Sequence, residues 1–229
     1  MEKKGENKRF DLKKLIVIAA VAVLIVATAL AWFVYTSDPF NNSFGLSNFN
    51  TELDCYFMDN GTRINLSDIT GVIDTDTKLI NLSLDPDDDN YFANFHVDVK
   101  YKGKGHGYLR VKVVTEAKDS SGYATLTDSK IPYTLSAEYS DNQGNNQAAW
   151  YDNRNMDFCY YYATALSGND STLATLSVIT GAQTTDIDSG FDAAYLLENN
   201  YTLSVAVSSD MVQINRYPQF WGINTLPWK

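Results

Sequence analysis

The side chains best suited to bind a metal ion lie in one acidic loop, where Asp85, Asp87 and Asp89 alternate with other residues. That alternation is how a calcium-binding loop begins. An EF-hand then requires Gly and, at its twelfth position, Glu, whereas this chain has Asn90 and His96. The pattern therefore excludes an EF-hand and leaves two interpretations, a looser surface calcium site or a solvated acidic turn between strands.

Sequence motifs for catalysis are absent. The two histidines, His96 and His106, fall on the polar face of a predicted strand and in a glycine-rich turn. Neither a His-Glu-x-x-His zinc motif nor a Gly-x-Ser-x-Gly nucleophile elbow occurs. The glycines of the turn at 103–107 lie between two strands, so they do not form a dinucleotide-binding loop, which joins a strand to a helix. We therefore predict a protein that is not an enzyme, with calcium as the single cofactor to consider.

Cys55 and Cys159 are the two cysteines of the chain. In an oxidising compartment they are a disulfide candidate, and closing a loop of roughly 100 residues would stabilise the fold by about 4–5 kcal/mol. The alternative is a pair of buried free thiols. Two distant cysteines offer too few ligands for a structural metal site.

Aromatic side chains form three runs, Trp150-Tyr151, Tyr160-Tyr161-Tyr162 and Phe220-Trp221. Exposed rings could stack on sugars, whereas buried rings would fill the core of a β-sheet protein. We favour the core interpretation because alternate residues of a strand face inward, and a glycan-binding surface remains the alternative.

An uncharged apolar segment at residues 15–35 determines where the rest of the chain resides. A helix rising about 1.5 Å per residue over this length would cross a hydrocarbon core. Residues 1–14 hold six basic and three acidic side chains, a net charge of +3 that keeps this end cytoplasmic. The segment is either a retained anchor with the body outside the cell membrane, or a signal peptide cut at the small-x-small site formed by Ala29 and Ala31. After cleavage the body would be secreted or held at the cell surface.

The exported body is acidic. The whole chain has a formal charge of −10, which leaves −13 for the residues after the basic N-terminal segment. Such a charge repels nucleic acid and anionic lipid, so we exclude nucleic acid as a partner.

Alternating apolar and polar residues predict about eight short strands. The clearest patterns, at residues 91–101 and 109–116, predict a hairpin joined by the glycine-rich turn. Other predicted strands lie near 48–58, 79–84, 131–140, 148–165, 173–180 and 201–214, with a helical turn near 191–197 and an aromatic cap at 216–228. We expect an all-β fold, a jelly-roll-like antiparallel β-sandwich preceded by one N-terminal hydrophobic helix.

Four regions follow from these patterns. They are a basic cytoplasmic segment at 1–14, a transmembrane helix or signal peptide at 15–35, a tether at 36–47 and an exported β-sandwich domain at 48–229.

The residues around the end of the apolar segment follow a recognisable order. Ala29-Leu30-Ala31 is followed by Trp32-Phe33, Asp38, Asn42-Ser43-Phe44 and Ser47-Asn48-Phe49. This order resembles the start of the camelysin/TasA-type proteins, bacterial surface and biofilm-matrix proteins processed by the SipW-type signal peptidase. The resemblance implies an exported structural protein with a jelly-roll sandwich, whose N-terminal segment adds as a strand to a neighbour and builds fibres.

We therefore expect an exported, non-enzymatic structural protein of the bacterial cell surface or extracellular matrix, which assembles by strand addition through the segment around Phe44–Met58. Its partners would be other copies of itself or other surface proteins, and the membrane through residues 15–35 unless that segment is cleaved. The alternative is a membrane-anchored module that binds a glycan or calcium.

Overall fold

The computed structural model describes residues 49–122, 124–126, 131–144, 147–168 and 172–229. These residues form an all-β, sandwich-like structure of antiparallel strands in a five-stranded sheet, a seven-stranded sheet and a two-stranded sheet, called sheets A, B and C. The strands are β1 Asn50–Asp59, β2 Thr62–Asn65, β3 Ile80–Leu82, β4 Phe95–Lys102, β5 Gly105–Lys118, β6 Ala124–Leu126, β7 Tyr133–Leu135, β8 Trp150–Asp152, β9 Cys159–Tyr162, β10 Leu166–Gly168, β11 Ala174–Ala182, β12 Thr185–Asp186, β13 Phe191–Asp192 and β14 Thr202–Gln213.

Helical structure is short in the described chain. The α-helices are α1 Arg154–Asp157, α2 Ala193–Glu198 and α3 Tyr217–Phe220, and single 3-10 turns occur at Leu66–Asp68, Phe92–Asn94 and Asp141–Gln143. Within the described residues, no helix combines the length and apolarity needed to cross a membrane. The predicted hydrophobic helix at 15–35 lies outside the described residues.

Sheet A has the strand order β2-β1-β4-β11-β7. Its central strand, β4, pairs along its length with β1 on one side and with β11 on the other. Buried and half-exposed residues alternate strictly along β4, because its odd-numbered side chains face the core and its even-numbered ones face outward.

Sheet B has the main order β3-β14-β5-β9-β8, and β6 and β10 also pair with β5. β14 and β5 pair continuously from Thr202 opposite Lys118 to Gln213 opposite Gly107. The core lies between sheets A and B, and its fully buried side chains include Phe57, Phe92, Phe95, Val97, Val99, Leu109, Val111, Val113, Tyr160, Val178, Ile179 and Val205.

The predicted hairpin of residues 91–101 and 109–116 is wrong. Both strands form, as β4 and β5, but β4 lies in sheet A and β5 in sheet B. Alternation shows only that each strand has one buried face. Two strands in different sheets that face each other across a core have the same pattern as two paired strands of one sheet. Gly103 and Gly105 have φ angles of +152° and +91°, which a glycine adopts without steric cost. The short link between these strands therefore crosses from one sheet to the other.

The predicted strand at 148–165 is interrupted. β8 ends before α1, and Phe158, at φ +65°, separates α1 from β9. Arg154 explains the interruption: its guanidinium is buried, binds the carboxylate of Asp152, and donates a 2.9 Å hydrogen bond to the carbonyl of Ile131. A buried charge needs such partners, so this turn brings the cation inward and ties two loops together.

The predicted strands near 48–58, 79–84, 173–180 and 201–214 are present as β1, β3, β11 and β14. The predicted helical turn near 191–197 contains β13 followed by α2. The strand predicted at 131–140 is limited to Tyr133–Leu135. The C-terminal segment packs on sheet B as predicted, with Leu226 and Trp228 buried beside Cys159 and Tyr161.

Candidate functional site

One edge of sheet B lacks a paired strand over most of its length in the described chain, although β1 of sheet A packs beside it. β14 lies second in the sheet, but its outer neighbour β3 pairs only with residues 203–205. Within the described residues, no strand pairs with residues 206–213 on the side away from β5. Unpaired backbone groups along a sheet edge are a template for adding another strand. This stretch of β14, at residues 206–213, is called the β14 edge below.

The backbone groups that face the β14 edge follow from two hydrogen bonds. The carbonyl of Ser209 accepts a 3.2 Å bond from Oγ1 of Thr51, so it points away from β5. Val113, opposite Val207, donates its N–H to Phe158 at 2.9 Å, so this pair does not exchange backbone bonds either. Because direction alternates along an antiparallel strand, the N–H and C=O groups of residues 207, 209 and 211 all face the β14 edge.

The part of β1 that pairs only with β4 in the described chain lies next to the β14 edge. β2 pairs with β1 only over Tyr56–Asp59, which leaves residues 50–55 with β4 as their described partner. The buried bond from Thr51 to Ser209 joins β1 to β14 at this side of the sandwich. Phe49, where the described chain begins, is buried in the same core cluster as Met211. The described chain therefore begins close to the β14 edge.

The acidic loop forms a hydrogen-bonded turn. The carboxylate of Asp85 accepts a 3.0 Å bond from the backbone N–H of Asp87. Asp88, which the calcium pattern does not include, accepts a 2.6 Å bond from the hydroxyl of Ser83. Asp89 is exposed. Among the described side chains, no group of three or more His, Cys, Asp or Glu residues is placed to hold a metal ion.

Both cysteines are free thiols in the structure. Cys55 lies on β1 in sheet A, and Cys159 lies on β9 in sheet B, beneath the C-terminal segment. Burial raises the pKa of each thiol to about 12, and nearby carboxylates add to that rise. Neither sulfur is therefore a reactive thiolate at neutral pH.

The two histidines have different surroundings. His96 stacks on Tyr56 with ring centroids 5.2 Å apart on the outer face of sheet A. Burial lowers its pKa, and the charge of Asp98 opposes that shift. His106 is exposed, and its Nδ1 lies 2.9 Å from the hydroxyl of Ser167.

A mixed polar cluster occupies the outer face of sheet A around Asp54. Its carboxylate binds Arg63 on one oxygen and Lys100 at 2.9 Å on the other. Partial burial acts to raise the pKa of Asp54, but the hydrogen bonds and charges of Lys100 and Arg63 outweigh it and lower the pKa. Arg63 also lies 3.9 Å above the Tyr56 ring, whose hydroxyl donates to Asp98. The cluster joins β1, β2 and β4 across the sheet.

The aromatic runs are mostly core residues. Trp150, Tyr160 and Tyr161 are at most 1 % exposed, and Tyr162 is 9 % exposed. Phe220 is half exposed, and it is the one side chain of the three runs that belongs to the exposed large hydrophobic residues of the described chain. The three runs therefore offer little aromatic surface on which a sugar could stack, and the other exposed rings of large hydrophobic residues in the described chain, Phe158 and Tyr195, lie outside them.

The predicted cleavage residues Ala29 and Ala31, the tether and the segment carrying the family resemblance up to Asn48 lie outside the described residues. The β14 edge, in contrast, could not be predicted from the sequence, because alternation identifies a strand but not which strands pair with it. Comparison with protein-family models, with curated proteins and with solved structures found no match for this chain.

Proposed function

We propose that this protein is an exported, non-enzymatic structural subunit of the cell surface or extracellular matrix, with a jelly-roll-like sandwich that assembles by strand addition. The β14 edge is the observation that carries the proposal. It offers three backbone N–H groups that face away from β5, and an incoming strand gains affinity from such main-chain bonds.

The strand that is donated precedes the described body. β1 is already paired within sheet A with β2 and β4, so the part of Phe44–Met58 beyond Phe49 is not free to leave. We assign the donor to residues 36–48 of a second copy. The sequence resemblance supports this assignment, because cleavage after Ala31 would release the segment from the membrane.

Residues on the inner face of β14 also suit an acceptor. Val207, Ser209 and Met211 point their side chains into the core and are 9 %, 7 % and 9 % exposed. An added strand would therefore bond to a backbone that the core already holds in place, at a low cost in conformational entropy. One of the carbonyls is occupied by the Thr51 hydroxyl in the isolated chain, which an incoming N–H would replace.

Sedimentation velocity over rising concentration tests the proposal on the chain that starts at Trp32. We expect concentration-dependent oligomers with the wild-type sequence. Ser209→Pro removes one N–H at the β14 edge without removing a bond to β5 and should abolish assembly. Ser209→Ala keeps that N–H and should assemble normally. Wild-type protein that stays monomeric at every concentration would refute strand addition at this edge. So would a Ser209→Pro variant that has the wild-type melting temperature and assembles as well as wild type.

A further inference from the structure

Sheet B has polar and charged side chains over much of its outer face, but it also has one apolar patch there, and residues 217–229, called the strap, pack on that patch. Beneath the strap, Cys159, Tyr161 and Ala163 are at most 3 % exposed, and Leu226 and Trp228 of the strap are 2 % and 4 % exposed. The outer face of a sandwich sheet is ordinarily wet. Here it carries a second apolar cluster that depends on the strap.

Trp221 anchors the first part of the strap. Its indole N–H donates to the carboxylate of Asp210, and its ring meets Tyr161 edge-on with centroids 5.5 Å apart. Arg110, which is ion-paired with Asp210 at 2.8 Å, lies 4.9 Å from the same indole ring. One side chain therefore contacts β5, β9 and β14.

Trp228 anchors the second part. Its ring centroid lies 5.6 Å from that of Tyr108 and 5.7 Å from that of Tyr161. Its carbonyl accepts a 3.2 Å bond from the hydroxyl of Tyr139. Lys229 donates to the hydroxyl of Tyr108 at 3.3 Å.

The strap is attached to the sheet by side chains and not as an added strand. In the described chain, the hydrogen bonds between backbone groups that involve α3 and residues 221–229 have both partners within the strap or the turn before it. That turn, residues 214–216, is exposed. The Nε1 of Trp228 is buried without a hydrogen-bond partner among the described atoms, which weakens the closed position. The strap can therefore leave without breaking any strand pairing.

We propose that the strap exchanges between molecules: when one strap is released, the aromatic face of sheet B binds the strap of a second copy of this chain. The structure shows which segment fits that face, since the contacts of Trp221 and Trp228 would be identical in either molecule. Exchange of an identical element is a low-cost route to association. The face lies on the side chains of sheet B, whereas strand addition uses the backbone of the β14 edge, so the two proposals stand or fall separately.

A fluorescent peptide with the sequence of residues 215–229 tests the exchange by fluorescence anisotropy against the full chain in mild detergent. We expect saturable binding that unlabelled peptide competes away. A peptide with both Trp221→Ala and Trp228→Ala should not bind. In the full chain, Trp221→Ala loosens the resident strap, which increases the fraction of molecules with an open face and should tighten the apparent affinity by about tenfold. Phe220→Ala, at a half-exposed strap position, is the matched control and should leave the affinity unchanged.

Two results would overturn the proposal. One is the absence of saturable binding to the wild-type chain, and the other is equal binding of the peptide that lacks both tryptophans. Circular dichroism shows whether the Trp221→Ala chain folds. If it does not, competition of labelled and unlabelled peptide for the wild-type and Phe220→Ala chains still tests the proposal. Substituting Ser209 with Pro should not affect peptide binding, which separates the exchange from strand addition.

Discussion

Asp54 is the residue at which electrostatics on the outer face of sheet A can be tested. It binds both Arg63 and Lys100, and all three side chains are partly exposed. Asp54→Asn should lower the free energy of unfolding by about 0.5–1 kcal/mol at low salt, because exposed ion pairs contribute little and salt screens them. Urea unfolding in low salt and in about 1 M NaCl measures the change, which should shrink at high salt.

The same carboxyl gives a pH dependence. Its pKa is lowered in the folded chain, so its contribution is complete above the ordinary Asp pKa of about 3.9 and is lost as pH falls through the folded value. Glu198→Gln on α2 removes the same charge at an exposed position outside sheet A. If Asp54→Asn and Glu198→Gln change the free energy of unfolding equally, the ion pairs of Asp54 do not stabilise the fold.

His96 should make the fold less stable in mild acid. Burial beside Tyr56 lowers its pKa, so below the ordinary His pKa of about 6.5 the unfolded chain binds a proton that the folded chain does not. Between about pH 7.5 and pH 5.5, wild type should therefore lose more free energy of unfolding than His96→Gln. Urea titrations at both values measure the difference. A smaller loss in wild type than in the variant would show that Asp98 outweighs burial.

At the residue scale, the sequence indicates chemical types but not their partners. The spacing of Asp85, Asp87 and Asp89 suggested calcium, whereas the described loop uses Asp85 for its own backbone and Asp88 for Ser83. No local pattern marks Arg154 as a buried cation. Its carboxylate partner Asp152 is 2 residues away, but its guanidinium also donates to the carbonyl of Ile131, which is 23 residues away.

At the scale of elements, two glycines are required for different reasons, one by close contact with backbone atoms and the other by its own backbone conformation. A Cβ at Gly168 would lie 2.2 Å from the carbonyl oxygen of Gly103, whereas Gly61 has open space around it but a φ of +83°. Gly168→Ala should cost about 2–3 kcal/mol through overpacking against backbone. Gly61→Ala should cost about 1 kcal/mol through conformational strain.

Urea unfolding of the two alanine variants compares these costs directly. The larger loss belongs to Gly168→Ala, because the peptide of Gly103 is part of the link between β4 and β5 and has little freedom to move away. If Gly61→Ala proves the more destabilising, close approach of β10 to that link is not what requires a glycine at position 168.

Elements were predicted better than their neighbours. Alternation located β4, β5, β11 and β14 within a few residues, because one face of each strand is buried. It could not assign β4 and β5 to different sheets, since that depends on the direction of the link at 103–104. Short strands such as β7 and β8 were overextended, because turns formed by buried polar contacts carry no period.

At the scale of the whole molecule, composition and alternation were sufficient for an all-β sandwich-like body. Within the described residues, the lack of a strand partner for residues 206–213 follows from the order of the sheet, which no local pattern shows. The export of the body and cleavage at Ala29 and Ala31 stay predictions from the sequence. N-terminal sequencing of the mature protein checks them: a start at Trp32 is expected, and an intact leader would support a membrane-anchored module.

Residue-resolved amide hydrogen exchange, compared between the monomer and the assembled protein, tests strand addition most directly. The amides of Val207, Ser209 and Met211 face the β14 edge, and those of the intervening residues face β5. Assembly should slow exchange at these three amides by at least about tenfold, while their neighbours, already bonded, change little. Unchanged exchange at the three alternate amides in assembled protein would contradict strand addition at the β14 edge.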